Sequence, residues 1–254
     1  DKMNLNQHSE SSAQPGLSVE KLKKLAIYLP ENEKEQQLIA EALNDADALI
    51  TSLEKLIEKK NHIFSGVKSE VFNQANASFE YEKTSLGLIL SYEQPTKYIV
   101  RNPQLNSNGK VPVLTANKAF ILGYTNELSG IKSDLPVIIF DDFTTDKKFV
   151  DFNFKVRSSA MKILCARCSD INTYYVFQAM TQIDFPTSEH KRYWIGEYQK
   201  LRIPLPNFGE QNRVALLLED IDNEIKSIKF NLEKAKKVKE GMKQELLTGR
   251  IRLI

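Results

Sequence analysis

Two short groups of residues have the types and spacing that could support chemistry. Cys165 and Cys168 form a C-x-x-C pair, a spacing found in redox-active dithiols and in half of a zinc site. Asp141 and Asp142 follow the apolar run 137–140, and paired carboxylates at the end of a strand could hold Mg²⁺ for a nuclease. A thiol or zinc centre and a metal-dependent nuclease are therefore the two chemical hypotheses to weigh.

The surroundings of both groups disfavour these hypotheses. On a strand, side chains that are adjacent or three apart point to opposite faces, so neither pair converges on one ion. The sequence has no second C-x-x-C, its histidines at 8, 62 and 190 are scattered, and no Glu-x-Lys follows the aspartates closely. It also lacks a phosphate-binding loop, a dinucleotide-binding turn and a G-x-S-x-G elbow. We predict no catalytic residue, no metal site and no cofactor.

An internal repeat provides the elements that must position any site. Residues 35–72 align without a gap on residues 210–247, and a match of this length indicates internal duplication. The identical pairs include Glu35/Glu210, Gln36/Gln211, Leu43/Leu218, Asp45/Asp220, Ile50/Ile225, Lys59/Lys234 and Gly66/Gly241.

Each copy of the repeat has the pattern of a long amphipathic helix. Apolar residues recur every seven positions, which favours a coiled coil over ordinary core helices, the alternative. Lys60 interrupts the first seam and is expected to set register. The seam residues are Ile39, Leu43, Ala46, Ile50, Leu53, Ile57, Phe64 and Val67 in the first copy, and Val214, Leu218, Ile221, Ile225, Ile228, Leu232, Ala235 and Met242 in the second.

The segment between the repeats has a different character. Of the 23 aromatic residues in the chain, 18 lie between Phe79 and Tyr198, in short apolar runs separated by turn signals. These runs predict strands, with one helix near Ser169–Thr181 capped by Ser169 or Asp170 and a linker at Asn73–Ser78. The predicted strands are Leu86–Tyr92, Lys97–Arg101, Val111–Leu114, Val137–Phe140, Phe149–Val156 and Met161–Ala166.

The expected fold class is α+β, with one mostly β domain inserted at the tip of an antiparallel two-helix coiled coil. The predicted divisions are a flexible leader at 1–17, a first repeat with its long helix at 18–78, the β domain at 79–206 and a second repeat at 207–254. The chain has a net charge of +2, and it has neither a long apolar run nor a signal peptide. These features favour a cytoplasmic protein without a membrane span.

Several segments resemble the specificity subunits of type I restriction–modification systems. Two segments, each at the beginning of a repeat copy, are similar to the repeat segments of that family: LAIYLPENEKEQQLIAEALNDADALI and LRIPLPNFGEQNRVALLLEDIDNEI. The ends of the two repeats, from Gly66 and Gly241, are similar to that family too. Between them, GKVPVLTANKAFILGYTN, LPVIIFDDFTTDKKFVDFNFKV and SSAMKIL resemble its target recognition domains. The resemblance spans nearly the whole chain, with the motifs in the expected order.

This resemblance implies a function without chemistry of its own. Such subunits hold two recognition domains apart on antiparallel helices, and each domain reads half of a split site in double-stranded DNA. Methyltransferase (modification) subunits dock on the helices, and a restriction subunit joins the complex. This chain has the pattern of a half-length form with one target recognition domain, so a homodimer on a palindromic site is expected. The alternative is a silent coiled-coil scaffold without sequence-specific DNA binding.

The candidate DNA-binding residues are basic or amide side chains near predicted turns, together with one aromatic residue. Between residues 79 and 199 the chain has 14 Lys and Arg against 13 Asp and Glu, so DNA affinity requires the positive charge to cluster on one face. For each candidate the alternative is a solvated surface residue or a core aromatic. The candidates are Lys110, Asn117, Lys118, Lys147, Lys148, Lys191, Arg192 and Tyr193.

Overall fold

The structure is a computed structural model that describes residues 19–23, 29–77, 81–115, 119–187 and 191–254. The chain divides into two compact units. One consists of Asp1–His62 and Asp222–Ile254, and the other of Ile63–Ile221. The predicted leader 1–17 lies outside the described residues. Since the first unit is built from both ends of the chain, the second unit is an insertion in chain order.

Two long helices contain the two copies of the repeat. After the short helix α1, Val19–Leu22, α2 spans Glu33–Ala77 and α5 spans Phe208–Leu246. The predicted linker after residue 72 is wrong, because α2 continues through residue 77. Phe72 and Ala75 are buried, and such packing supplies most of the stability of a protein helix.

In the first unit, the parts of α2 and α5 that it contains run antiparallel. Lys60 forms an ion pair of 2.7 Å with Glu224, Lys236 one of 3.0 Å with Glu54, and Lys239 pairs with Asp47. Positions thus rise along one helix as they fall along the other. The buried and half-buried positions follow the predicted seven-residue pattern, while most residues beside it are exposed. The predicted pair of antiparallel helices is confirmed.

Charged side chains within this seam form ion pairs between the two helices. Lys60 lies at a seam position and reaches across to α5, and Lys239 does the same in the other direction. Exposed ion pairs contribute about 0–1 kcal/mol each. That these lysines set register, as a single polar residue does in a coiled-coil seam, stays a prediction.

The motif shared by the two repeat copies has one clear physical role. Gln36 donates its side-chain N–H to the carbonyl oxygen of Pro30 at 2.7 Å, and Gln211 donates to that of Pro206 at 2.9 Å. In both copies the glutamine ties the start of the long helix to the proline that precedes it. The sequence match between the repeats therefore extends to their hydrogen bonds.

The described residues of the second unit form three small sheets. β1 pairs with β9, a four-stranded antiparallel sheet has the order β2-β8-β5-β6, and a three-stranded sheet has the order β4-β3-β7 with β3 and β7 parallel. The strands are β1 Glu82–Ser85, β2 Leu90–Glu93, β3 Val111–Leu114, β4 Ile121–Thr125, β5 Val137–Asp141, β6 Lys147–Val150, β7 Lys155–Val156, β8 Met161–Ala166 and β9 Arg202–Leu205.

Four sequence predictions in this unit need correction. The single strand predicted at 149–156 is two strands, because β6 ends at Val150 and β7 begins at Lys155. The run 86–92 begins as a helical turn, α3 at Leu86–Ile89, whose two ends are buried at helical spacing. Residues Pro95–Tyr98 form a 3₁₀ turn with proline at its start, where the missing N–H is not needed. Helix α4, Thr173–Met180, is capped by Asn172, whose side chain accepts the Tyr175 N–H.

One hydrophobic cluster of the second unit is rich in aromatic side chains. Phe140 lies 5.3 Å from Trp194 and 4.8 Å from Tyr198 between ring centroids, and Phe72 of α2 lies 5.4 Å from Tyr175. Aromatic pairs of this kind add about 0.5–1.5 kcal/mol beyond their buried area. The predicted concentration of aromatic residues thus serves mainly to pack this unit. Among the helices the structure describes, none is long and apolar enough to cross a membrane.

Candidate nucleic-acid interface

The two aspartates that could have held a metal are occupied by structural contacts. Asp141 accepts the backbone N–H groups of Phe143 and Thr144 at 2.8 and 3.0 Å, which closes the turn after β5. Asp142 accepts the N–H of Trp194 at 2.9 Å, and its other oxygen lies 3.7 Å from the ammonium of Lys162. Both aspartates are buried, and their contacts match a turn rather than a pair of free metal ligands.

The cysteine pair likewise has the surroundings of structural thiols. Cys165 lies on β8 and is half-buried, and burial raises the pKa of its thiol. Cys168 is exposed after the strand, and a hydrogen bond with Asp170 raises its thiol pKa too. Reactive and metal-binding cysteines have lowered pKa values, so the geometry favours neither use. Across the described ranges, no group of three or more His, Cys, Asp and Glu residues could hold a metal.

Lys147 and Lys148 lie on β6 and are both half-buried. The ammonium of Lys147 donates to the hydroxyl of Tyr198 at 2.9 Å and lies 5.3 Å from the centre of that ring. Burial lowers the pKa of Lys147. Its contacts are thus internal to the fold, which makes it a weaker candidate for a phosphate contact than an exposed lysine.

Lys191, Arg192 and Tyr193 follow one another but lie in different environments. Lys191 is exposed and paired with Glu197, whereas Arg192 is exposed and lies 5.4 Å from the ring centre of Phe143. Tyr193 is only 2% exposed and packs among the core aromatics. For the DNA-binding candidate Tyr193 the structure therefore favours the stated alternative, a core aromatic, because its ring is buried.

Of the candidates around β3 and β4, only Lys110 is described. It is exposed, and its backbone N–H donates to the side-chain oxygen of Asn126 at 3.3 Å. Asn117 and Lys118 lie outside the described residues. The structure thus places Lys110 away from any ion pair among the described residues, which leaves its charge available to a ligand.

The structure also draws attention to residues 101–110, which we call the amide loop. Sequence reasoning took only Lys110 from this segment, although RNPQLNSNGK has four amide side chains in ten residues. All of these residues are exposed except Leu105 and Gly109. The high density of amide side chains is the sequence signal that could have identified this loop.

A charge pair between the half-buried Glu127 and the buried Lys155 holds the start of the amide loop. The carboxylate of Glu127 accepts the backbone N–H of Arg101 at 3.0 Å and that of Asn102 at 2.8 Å. Lys155, only 2% exposed, lies 3.2 Å from the same carboxylate and donates to the carbonyl oxygen of Ser129 at 2.6 Å. The Asn102 N–H, the Arg101 N–H and Lys155 together lower the pKa of Glu127.

The rest of the amide loop is fixed against β4. Asn106 exchanges two backbone hydrogen bonds with Tyr124, at 3.0 and 2.9 Å. A side chain at Gly109 would place a Cβ 2.6 Å from the Thr125 nitrogen, so this close approach requires glycine. The loop is therefore held by its backbone while its polar side chains face outwards.

A groove of about 530 Å³ lies beside the amide loop. It is lined from the loop side by Leu105, Asn106 and Ser107 and from the strand side by β4. On β4, Ile121 and Leu122 are 41% and 43% exposed. Proteins read base edges with hydrogen-bonding side chains and with apolar side chains. This surface has both kinds, since exposed apolar side chains lie next to amides and basic groups.

Comparison with known proteins finds similarity to specificity subunits of type I restriction systems. A family model described as the type I restriction modification DNA specificity domain matches residues 1–63. The specificity subunit of the type I restriction enzymes EcoR124I and EcoR124II of Escherichia coli is 50% identical over 133 residues, which cover 50% of this chain and 33% of that protein. A putative MjaX specificity subunit of Methanocaldococcus jannaschii is 26% identical over 268 residues, covering 94% of this chain and 62% of that protein.

Solved structures show the same fold. The crystal structure of a type I restriction–modification S subunit from M. genitalium matches with a TM-score of 0.71 at 15% identity, over 95% of this chain and 68% of that one. The HsdS subunit from Thermoanaerobacter tengcongensis matches with a TM-score of 0.50 at 12% identity, over 98% and 67%. This chain spans a third and about three fifths of the length of the two curated relatives.

Proposed function

We propose that this chain, which belongs to the family of type I restriction–modification specificity subunits, reads one half of a split DNA site. The observation that carries the proposal is the arrangement in the chain: two antiparallel repeat helices with a β-rich unit inserted between them. Recognition is assigned to the inserted β domain, residues 79–206. The chain performs no chemistry in this scheme and supplies sequence selection to partner enzymes.

The charge distribution supports DNA as the ligand despite a near-neutral β domain. Several of its cationic side chains are taken up internally, as the contacts of Lys132, Lys155 and Lys162 illustrate. Acidic groups such as Glu93 and Glu127 are tied to these lysines. Fewer charged residues therefore contribute to the surface charge of the β domain than the composition implies. Its exposed cations include Arg101, Lys110 and Arg157.

The helices are assigned the scaffold role in this proposal. Modification (methyltransferase) subunits dock on them, and a restriction subunit joins through the complex. Two copies of the chain form a homodimer in the cytoplasm and read a palindromic site whose halves are separated by unspecified base pairs, since a two-fold protein matches a two-fold site. The seven-residue seam, held in register by Lys60 and Lys239, supports a fixed spacing between the two readers.

The test is the methylation pattern that the chain directs. The chain is expressed with its cognate modification subunit in a host without DNA methylation, and the modified bases are found by single-molecule sequencing. A split palindromic motif is expected. A motif with one specified half would refute the symmetric dimer and retain the reading role. A complex that assembles but methylates nothing would favour the silent scaffold instead.

A further inference from the structure

The side chains of the amide loop divide into two groups by their hydrogen bonds. Asn102 uses its side-chain oxygen to accept the Gln104 N–H at 2.9 Å, and Asn106 accepts the Asn108 N–H at 3.0 Å. These are local turns in which the asparagine side chain shapes the backbone. Both asparagines thus build the loop, and each has its acceptor oxygen engaged.

Gln104 differs from these neighbours. Its side chain is exposed and has no hydrogen-bond partner among the described residues, so its donor and its acceptor are both available. Its backbone is held by Asn102, and its position is held further by the exposed Arg157, which donates to the carbonyl oxygen of Pro103 at 3.2 Å. A free carboxamide on a fixed backbone has the form of a specific hydrogen-bonding reader.

The chemistry of this reader selects its ligand. In the major groove, glutamine can donate to N7 and accept from N6 of adenine at once, and apolar side chains contact the methyl group of thymine. Ile121 and Leu122, exposed beside the groove next to the loop, supply such an apolar surface. One adenine–thymine pair therefore satisfies both features.

Positive charge surrounds this part of the loop. Arg101 and Lys110 stand at its two ends and Arg157 contacts its middle, and all three are exposed. Glu127, an acidic group that contacts the loop, is turned inwards to two backbone N–H groups and Lys155. Exposed cations around a loop can contact DNA phosphates, which favours duplex DNA over a protein partner.

We infer that the amide loop reads an adenine–thymine pair in the major groove, with Gln104 bound to the adenine and Ile121 and Leu122 against the thymine methyl group. This inference rests on the proposed function and adds to it a base identity and a named reader. Asn102 and Asn106 are positioning residues, because they act through the backbone of the loop.

The experiment compares methylation motifs directed by the full chain and its variants, each co-expressed with the modification subunit, on the chromosome of the methylation-free host. Gln104→Ala should lower discrimination at one adenine–thymine position by about 5- to 150-fold, the usual value of a bidentate base contact. Gln104→Arg should shift that position towards guanine, which arginine reads in the same manner. Gln182→Ala, at another exposed glutamine of the same unit, should leave the motif unchanged.

The other outcomes are separable. If the parent chain directs a motif and both Gln104 variants direct the same one at every position, the inference is overturned and the proposed function stands. If Gln104→Ala fails to co-purify with the modification subunit while Gln182→Ala does so, the loop is a protein contact and the inference is again overturned. If the parent complex assembles and directs no motif, the proposed function fails first.

Discussion

The ion pair between Asp142 and Lys162 provides a sharp test of how the second unit is held together. Both side chains are about 5% exposed, and Asp142 also accepts the N–H of Trp194 at 2.9 Å. The change Asp142→Ala leaves the Lys162 ammonium buried without its carboxylate and the Trp194 N–H without its acceptor. Breaking a buried pair from one side costs about 3–5 kcal/mol, so the free energy of unfolding should fall by that amount.

Two further variants separate the charge from the hydrogen bond. Asp142→Asn keeps an oxygen for the Trp194 N–H and removes only the charge, so it should cost less than Asp142→Ala. The double variant Asp142→Ala with Lys162→Met removes both charges, and it should recover part of the loss, since a buried pair replaced by apolar groups is often neutral. Asp151→Ala, at an exposed aspartate, should change stability by less than about 0.5 kcal/mol.

Urea unfolding followed by tryptophan fluorescence measures these differences directly. Trp194 is the only tryptophan in the chain, is 1% exposed and contacts Asp142 through its backbone, so its emission reports the unfolding of this unit. The reasoning would be refuted if Asp142→Ala cost less than about 1 kcal/mol, or if Lys162→Met added its own full loss to that of Asp142→Ala.

Three further predictions concern the helix pair, acid stability and the amide loop. Leu232→Ala, at a buried seam position, should lower stability by about 2–5 kcal/mol, whereas Leu56→Ala at an exposed position should not, as thermal unfolding by circular dichroism would measure. Burial opposes ionisation of Glu93, but hydrogen bonds from lysines and a tyrosine outweigh it and lower its pKa to about 2. Its contribution is therefore complete above the unfolded pKa near 4.5 and is lost as pH falls towards 2, and an acid titration of Glu93→Gln should show a weaker loss there. Gly109→Ala should displace the loop from Thr125 and cost about 1–3 kcal/mol, together with DNA affinity in a gel-shift assay; unchanged hydrogen exchange in the loop would contradict this.

The two long helices could be predicted from the local periodicity of the sequence. The seam that includes Leu43, Ile50 and Ile57 repeats every seven residues in a single stretch of chain, and a helix brings such residues to one face without any distant partner. The repeat then predicted the second helix from the first. Seven-residue spacing is a local property, which is why the sequence alone determined this part of the fold.

Sequence motifs that occur in a fixed order also predicted the similarity to type I restriction–modification specificity subunits that comparison with known proteins supports. The excess of aromatic residues between the repeats correctly indicated a separate β-rich unit. It could not indicate which aromatics would be core, because a tyrosine next to two basic residues has the same sequence pattern whether its ring is buried or exposed. For Tyr193, the packing of its ring against Phe185 decided between these two states.

Only the tertiary structure decided which polar groups are free to bind. Lys147 and Gln104 both have polar side chains in suitable segments, yet one donates to the Tyr198 hydroxyl and the other has no partner among the described residues. Such pairings join residues about fifty positions apart, as in Lys147 with Tyr198 or Asp142 with Trp194. Since a hydrogen bond depends on distance in space, no local pattern could assign these groups, and the amide loop became a candidate only once its contacts were known.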